Sequence, residues 1–316
     1  MTTTTVTAQD LVRLPTLTER ALRRPARSLW SDAWRQFQRH HLAMAGVVVF
    51  ALLLLSTLIG PLLWHTSGES IDYGAGLQAP SLQHPFGTDD LGRDIFARAL
   101  LGGRVSMAVG VVAVIIAITL GTTVGAVSGF FGGRVDSLLM RLTDLFLALP
   151  QLPLLLMVTY LFRDPLRRVF GPEVGVFLLI VGVIGVLNWM PLARLVRAGF
   201  LSLKQKEFVE AARCVGASNR RLMAVHILPN TLSAVIVAAT VGIGQAIITE
   251  SALSFLGLGF PPDVPTWGRL LYDAQNFLDL APHWAIFPGL MIFLTVLSIN
   301  YIGDGLRDAL DPRKTQ

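Results

Sequence analysis

Long stretches free of Asp, Glu, Lys and Arg alternate with polar connections along this chain. Six of them, residues 42 to 64, 105 to 127, 145 to 162, 174 to 193, 231 to 249 and 284 to 303, meet or approach the length of a membrane span. Crossing about 30 Å of hydrocarbon takes roughly 20 apolar residues at ~1.5 Å of helical rise each, and a helix pairs every backbone polar group within one segment. The pattern predicts an all-α, polytopic membrane protein with six transmembrane helices. The third stretch is the shortest and holds Pro150 and Pro153, which predicts a kink and a start nearer Leu138.

Composition supports the bilayer as solvent: 53% of the residues are hydrophobic and only 15% charged, too apolar a balance for an ordinary soluble domain. Of the 26 Lys and Arg, 19 fall on one side of the six stretches and seven on the other. By the positive-inside rule both termini are cytoplasmic, and the basic surplus sets topology rather than nucleic-acid binding. The acidic residues divide evenly, so Arg placement alone makes the asymmetry. Cys214 is the single cysteine, which excludes an intramolecular disulfide. Residues 1 to 41 are polar and Arg-rich, unlike a signal peptide.

The connections carry further elements. Residues 1 to 26 lack apolar periodicity and read as an unstructured tail. From Arg27 onward, Trp30, Ala33, Trp34 and Phe37 recur at helical spacing beside Arg35 and Arg39, the signature of an interfacial helix on lipid. In the segment from residue 65 to 103, Thr88 or Asp89 is placed to cap a helix with Leu91, Ile95, Phe96 and Ala99 on its apolar side, stopping at Gly102-Gly103. A second outer helix is expected from about Thr266 to Phe277. Gly121, Gly125 and Gly129 recur every four residues on one side of the second span, a spacing suited to close helix packing.

The longest cytoplasmic connection runs from Arg194 to Asn230. A short helix from Lys204 to Cys214 places Phe208, Ala211 and Ala212 on one side, and Val215-Gly216-Ala217 ends it. Ser218 caps a second helix through Leu222 and Val225 to Ile227, which Leu228-Pro229 closes before the fifth span.

Here the sequence resembles the inner-membrane permeases of binding-protein-dependent ABC importers, whose cytoplasmic loop carries Glu-Ala-Ala, then Gly, then Leu-Pro. The matching residues are Glu210-Ala211-Ala212, Gly216 and Leu228-Pro229. The resemblance covers nearly the whole chain and is nearest to the C-type permease of dipeptide, oligopeptide and nickel importers. Arg35-Gln36-Phe37, the block from His84 to Asp94, Leu253 to Gly259 and Gly303 to Pro312 carry it further.

The resemblance implies a type I ABC importer permease fold in the bacterial inner membrane. Residues 1 to 41 would form a cytoplasmic tail, 42 to 64 the first span, 65 to 103 an extracytoplasmic segment, 104 to 303 the permease core and 304 to 316 a second cytoplasmic tail. The hairpin at 205 to 229 would lie in a groove of a cytoplasmic ATPase, with Ala211 and Ala212 permitting close approach, Glu210 meeting a basic or backbone donor and Gly216 setting the angle between its helices. The implied partners are a sister permease in a heterodimer, two ATPase subunits that carry ATP and magnesium, and an extracytoplasmic substrate-binding protein. No cofactor is expected on this chain. The implied cargo is a di- or oligopeptide, with nickel or another small solute as the alternative.

Motifs for other chemistries are missing. None of Lys204, Lys206 and Lys314 follows a glycine, so no Gly-x-x-x-x-Gly-Lys phosphate loop exists, and Pro262 stands where a dinucleotide loop beginning at Gly257 needs its third glycine. The six histidines form no His-Glu-x-x-His pair, and there is no Gly-x-Ser-x-Gly elbow for a hydrolase. An ion-coupled carrier places ionisable groups within its spans, and only Glu250 comes near, at a span end where the interface is its expected place. Asn188, Gln245, Thr249, Glu250 and Asn300, among the polar groups at or within the apolar stretches, are the candidate translocation-path residues.

Overall fold

The computed structural model describes residues 29 to 310, which are mainly helical and contain no strand. The expected tail at 1 to 26, Arg27, Lys314 and the Asp311-Pro312 part of the C-terminal match lie outside the described residues.

Helix α1, Leu29–Arg39, is amphipathic. Its Phe37 is buried with Ala43 and Ala309, while Trp34, one turn back and stacked on Phe37 with ring centroids 5.9 Å apart, is exposed. Gln36 Nε2 donates to the Asp308 carbonyl at 2.8 Å, so this helix is tied to the far end of the chain. His40 accepts from the Ala43 amide at 3.1 Å and thereby caps α2, His41–Leu63.

The outer segment departs from expectation. Asp89 caps no helix: it accepts from the amides of Leu91 at 3.0 Å and Arg93 at 2.8 Å and from Arg93 Nε at 2.6 Å, folding its loop on itself. Asp94 is the cap, accepting from the Phe96 amide at 2.9 Å, and α3 then runs unbroken over Ile95–Phe131. Gly102-Gly103 does not stop it. Gly102 lies against the backbone of Thr266 and Gly103 against Thr57 and Trp267, so these glycines serve close approach from inside a helix. The outer helix and the second span are one element.

Gly132, at φ 68°, ends α3 in a conformation glycine adopts without strain, and α4, Gly133–Ala148, follows. Next comes a break rather than a kink. Leu149 precedes a proline and is extended, and Pro150 is extended too, so α5, Gln151–Phe170, leaves at 88° to α4. Pro153 sits in the first turn of α5, where no intrahelical N–H bond is lost.

A second break divides α6, Pro172–Leu187, from α7, Met190–Leu203, at 42°. Pro191 lacks the amide that would bond Leu187, and its ring would meet that carbonyl in a continuous helix. α7 packs along α3 over the most extensive helix contact of the fold. A Cβ at Gly121 would stand 2.7 Å from the Trp189 carbonyl oxygen, and one at Gly129 would stand 2.8 Å from that of Arg197. The four-residue glycine stripe thus packs on bare backbone, as its spacing predicts. α4 joins the same face of α7 through ion pairs of Asp136 with Arg197 and Asp144 with Arg194.

After α8, Glu207–Cys214, the helix α9 runs over Asn219–Phe255. It crosses α3 and α11, His283–Leu310, which packs in turn on α2. Thr266 caps α10, Trp267–Ala274, close to the expected outer helix, by accepting from the Arg269 amide at 3.0 Å. Trp267 is fully buried, and its ring nitrogen donates to the Ala99 carbonyl at 2.9 Å. Helices α2, α3, α9 and α11 are each long and apolar enough to cross a membrane, and the number reaches six when each bent pair counts as one span.

The glycine contact yields a matched test. Gly125→Ala places a methyl group against the Ala193 backbone and is expected to lower the melting temperature in detergent by about 5 °C. Gly182→Ala meets no atom within 4 Å and leaves that temperature unchanged or higher.

Candidate functional site

The hairpin after α7 is anchored through Val209, which the sequence pattern did not single out. Val209 in α8 has 0% exposure and joins Leu222, Ile227 and Phe200 in one buried cluster, with Ala212 packed at its edge. The other side of α8 is apolar yet open. Phe208, Ala211 and Val215 recur at helical spacing on it, with Phe208 43% and Val215 89% exposed, and Glu210 beside them is exposed as well. The expected grouping of Phe208, Ala211 and Ala212 therefore splits, because Ala212 turns toward the core. Burial of Val209 on one side leaves this apolar stripe open among the described residues.

Gly216 ends α8. The Gly216 amide donates to the Arg213 carbonyl at 3.0 Å and the Ala217 amide to the Ala212 carbonyl at 3.1 Å, a Schellman ending that needs φ > 0 at its hinge residue. Gly216 has φ 85° with no atom within 4 Å of where a Cβ would stand, so conformation and not crowding demands glycine here. Ser218 then caps α9, accepting from the Arg221 amide at 3.4 Å.

Leu228-Pro229 does not close the second helix. Residues Leu222–Ile227 widen into a π-helical turn, and α9 continues through Pro229 into the long span. The wider turn accommodates a proline that has no amide to donate and would crowd the Val225 carbonyl of a regular helix. Asn230 Nδ2 donates to the His226 carbonyl at 2.7 Å and supplies one of the bonds the backbone has lost. Motion of the hairpin is consequently continuous with α9 at one end and, across only Lys204 to Lys206, with α7 at the other.

Between α3, α6, α7, α9 and the end of α11 lies a cavity of about 730 Å³. Small groups such as Ala117, Ala234, Ala238 and Gly242 form much of its wall, Asn188 and Gln245 supply amides, and Arg307 stands at the end nearest Leu310. Asn188 is held in place, donating to the Ile184 carbonyl at 2.7 Å and accepting from Gln151 Nε2 at 3.1 Å. Two of the candidate path residues thus meet at one cavity.

The other three do not. Thr249 turns its hydroxyl to the Gln245 carbonyl at 2.8 Å and is not in the cavity wall, and Asn300 is exposed on α11 away from it. Glu250, expected at the membrane interface, has 0% exposure. It accepts from Ser254 Oγ at 2.7 Å and Ser106 Oγ at 3.2 Å, and Ser106 Oγ also accepts from the Trp267 amide at 3.2 Å. That carboxyl joins α3, α9 and α10 and is not in the cavity wall.

The family model described as binding-protein-dependent transport system inner membrane component matches residues 121–316, and that of the N-terminal transmembrane domain of oligopeptide transport permease C matches residues 28–80. The chain is 40% identical over 286 residues to the dipeptide transport system permease protein DppC of Alkalihalophilus pseudofirmus, covering 90% of each chain. It is 42% identical over 288 residues, 91% of each chain, to the glutathione transport system permease protein GsiD of Escherichia coli O157:H7. It is 38% identical over 304 residues, 96% of each, to that of Pectobacterium atrosepticum.

The anchoring of α8 is testable in detergent. Val209→Asp buries a carboxylate without a partner at a cost of about 2 to 4 kcal/mol, and is expected to raise trypsin cleavage at Lys204, Lys206 and Arg213 while the spans stay intact. Phe208→Asp, on the open side, leaves the cleavage rate as it was.

Proposed function

Because the chain belongs to the family of binding-protein-dependent transport system inner membrane components, we propose that its hairpin is the contact through which a separate ATPase drives alternating access at the cavity. The chain is the membrane subunit of a peptide-type ABC importer, a multi-pass protein of the bacterial inner membrane, and ATP is hydrolysed on another subunit.

The observation that carries the coupling reading is the open stripe of Phe208, Ala211 and Val215 beside Glu210, on a helix anchored by Val209 and ended by Gly216. In this reading small Ala211 and partly buried Ala212 let the ATPase backbone approach, and Glu210 meets a donor on it. The continuity of Leu228-Pro229 with α9 then carries a pull on the hairpin into a span, and rigid elements tilt around the cavity. ATP and magnesium are held by the ATPase pair, and this chain binds no cofactor. A sister permease would complete the cavity from its open side, and an extracytoplasmic binding protein would deliver the solute.

Six spans result when each bent pair crosses once, and an even number leaves both termini on one side, which the Arg distribution makes the cytoplasm. In that topology the tail to residue 41, the first span at 42 to 64, the outer segment to residue 103, the core to residue 303 and the inner tail follow one another, with the boundaries at 103 and 303 falling inside α3 and α11. For the cargo, di- or oligopeptides are favoured over nickel. Among the described residues, the wall this chain contributes is mostly apolar, with the neutral amides of Asn188 and Gln245 and the cation of Arg307, and holds no imidazole, carboxylate or sulfur of the kind a nickel ion seeks.

Cys214 gives a direct measure of topology, being the single cysteine and exposed on the hairpin. A membrane-impermeant maleimide is expected to label it in inverted vesicles and not in intact spheroplasts; the reverse would refute the orientation. For coupling, Glu210→Arg is expected to insert normally and to lower uptake at least about tenfold while the complex still hydrolyses ATP. Undiminished uptake per ATP would remove the hairpin from that role.

A further inference from the structure

Two breaks in the membrane helices meet at a single hydrogen bond. α4 turns into α5 at Leu149-Pro150, and α6 turns into α7 at Asn188-Trp189. Gln151, the first residue of α5, donates through Nε2 to Asn188 Oδ1 at 3.1 Å, and Asn188 is part of the cavity wall.

On the hairpin side of both breaks, α4 and α7 are clamped together. Arg197 of α7 grips Asp136 of α4 with both prongs of its fork, Nε to Oδ1 at 2.5 Å and a terminal nitrogen to Oδ2 at 2.6 Å. Ser128 donates to the same carboxylate, and Arg194 pairs with Asp144 two turns farther along α4. Lys204, at the end of α7, donates to the Gly129 carbonyl at 2.8 Å. A bidentate guanidinium-carboxylate pair fixes orientation as well as distance, which a lysine in place of the arginine does not.

The mechanical consequence depends on the number of attachments. α7 lines the cavity through Pro191, Leu192 and Leu195 but joins α6 at a single break, and a body held at one pivot can swing without turning what lies beyond it. With α4 clamped to it, the same body reaches the wall at a second point, through Leu149-Pro150 and Gln151. Two attachments transmit rotation as well as displacement.

We propose that Asp136 and Arg197 are positioning residues for transport: they make α4 move with the hairpin, so that displacement of α8 reaches Asn188 both along α7 and through α4 and Gln151. This rests on the hairpin being the ATPase contact. Losing the clamp leaves the hairpin docked and ATP hydrolysis running, while the Asn188 corner of the cavity wall no longer turns with them.

The test uses the full importer, with sister permease, ATPase subunits and binding protein, in proteoliposomes, with radiolabelled alanyl-alanine and reduced glutathione as the two transported probes. Asp136→Asn and Arg197→Gln are each expected to assemble, to keep ATP hydrolysis and to lower uptake of the transported probe per ATP about tenfold. The charge-exchanged pair Asp136→Arg with Arg197→Asp recovers most of the ratio, and Arg197→Lys only part of it. Spin labels at Leu138→Cys and Ser202→Cys, in a Cys214→Ser background, provide a readout independent of the solute. Their distance is expected to stay constant between the ATP-free and vanadate-trapped states and to change between those states once Asp136→Asn is added. Unchanged uptake per ATP in both single variants overturns the proposal, and so does a label distance that stays constant in Asp136→Asn. Failure of the single variants to assemble, unrepaired by the charge exchange, overturns it as well, since the pair is then a folding contact alone. Glu210→Arg separates the two levels: if it transports normally the hairpin reading fails, and if it uncouples while Asp136→Asn does not, only the clamp fails.

Discussion

A methyl group added to Gly121 would stand 2.7 Å from the Trp189 carbonyl oxygen, and one added to Gly129 would stand 2.8 Å from that of Arg197. Between those points α3 touches the backbone of α7. In hydrocarbon, where neighbouring lipid tails are as apolar as a leucine side chain, such contact between backbones is what holds two helices together. The placement of the hairpin and the cavity depends on it. The hairpin hangs from the end of α7, the cavity opens between α7 and α9, and Lys204 reaches Gly129 because the helices are close.

The prolines divide labour with those glycines. Pro150 and Pro191 stand at breaks, where extended or capping residues interrupt the intrahelical bonds, whereas Pro153 and Pro229 are accommodated inside helical structure. The difference is local: a first turn has no bond for Pro153 to lose, and a π-helical turn with Asn230 bonded to His226 makes room for Pro229. The broken pair α6 and α7 then faces the cavity with Asn188 at its break, beside the unbroken α3 and α9. Irregular backbone at membrane depth is tolerated where protein or a cavity surrounds it, and Asn188 is such a place.

Polar groups near the outer side show burial overriding sequence position. Glu250 sits where a linear scan meets the first charge after an apolar run, and an interface is the usual home of such a residue. Helix phase brings it instead toward Ser106 and Ser254, and α10 lays Trp267 across the same place. The two outer glycines behave alike: Gly102-Gly103 has the composition of a helix stop, yet neighbours pressed against both keep them helical. Local propensity gives way where tertiary contact contributes more free energy than the glycines cost.

Hydrophobic run lengths were enough to predict a polytopic helical membrane protein, because spanning lipid constrains composition over roughly 20 residues at a time, and the resemblance carried by Glu210, Ala211, Ala212, Gly216, Leu228 and Pro229 pointed to the permease family and its hairpin. The glycine stripe and the start of α10 were legible for the same reason, each depending on a few neighbours in sequence. Tertiary structure decided what depends on partners far along the chain. Val209, not Phe208, holds α8; Asp136 faces Arg197 across 61 positions; Gln151 and Asn188 join two breaks; and only two of five polar candidates reach one cavity. Which side of a helix meets which neighbour is a property of the assembled bundle, and no periodicity within one helix determines it.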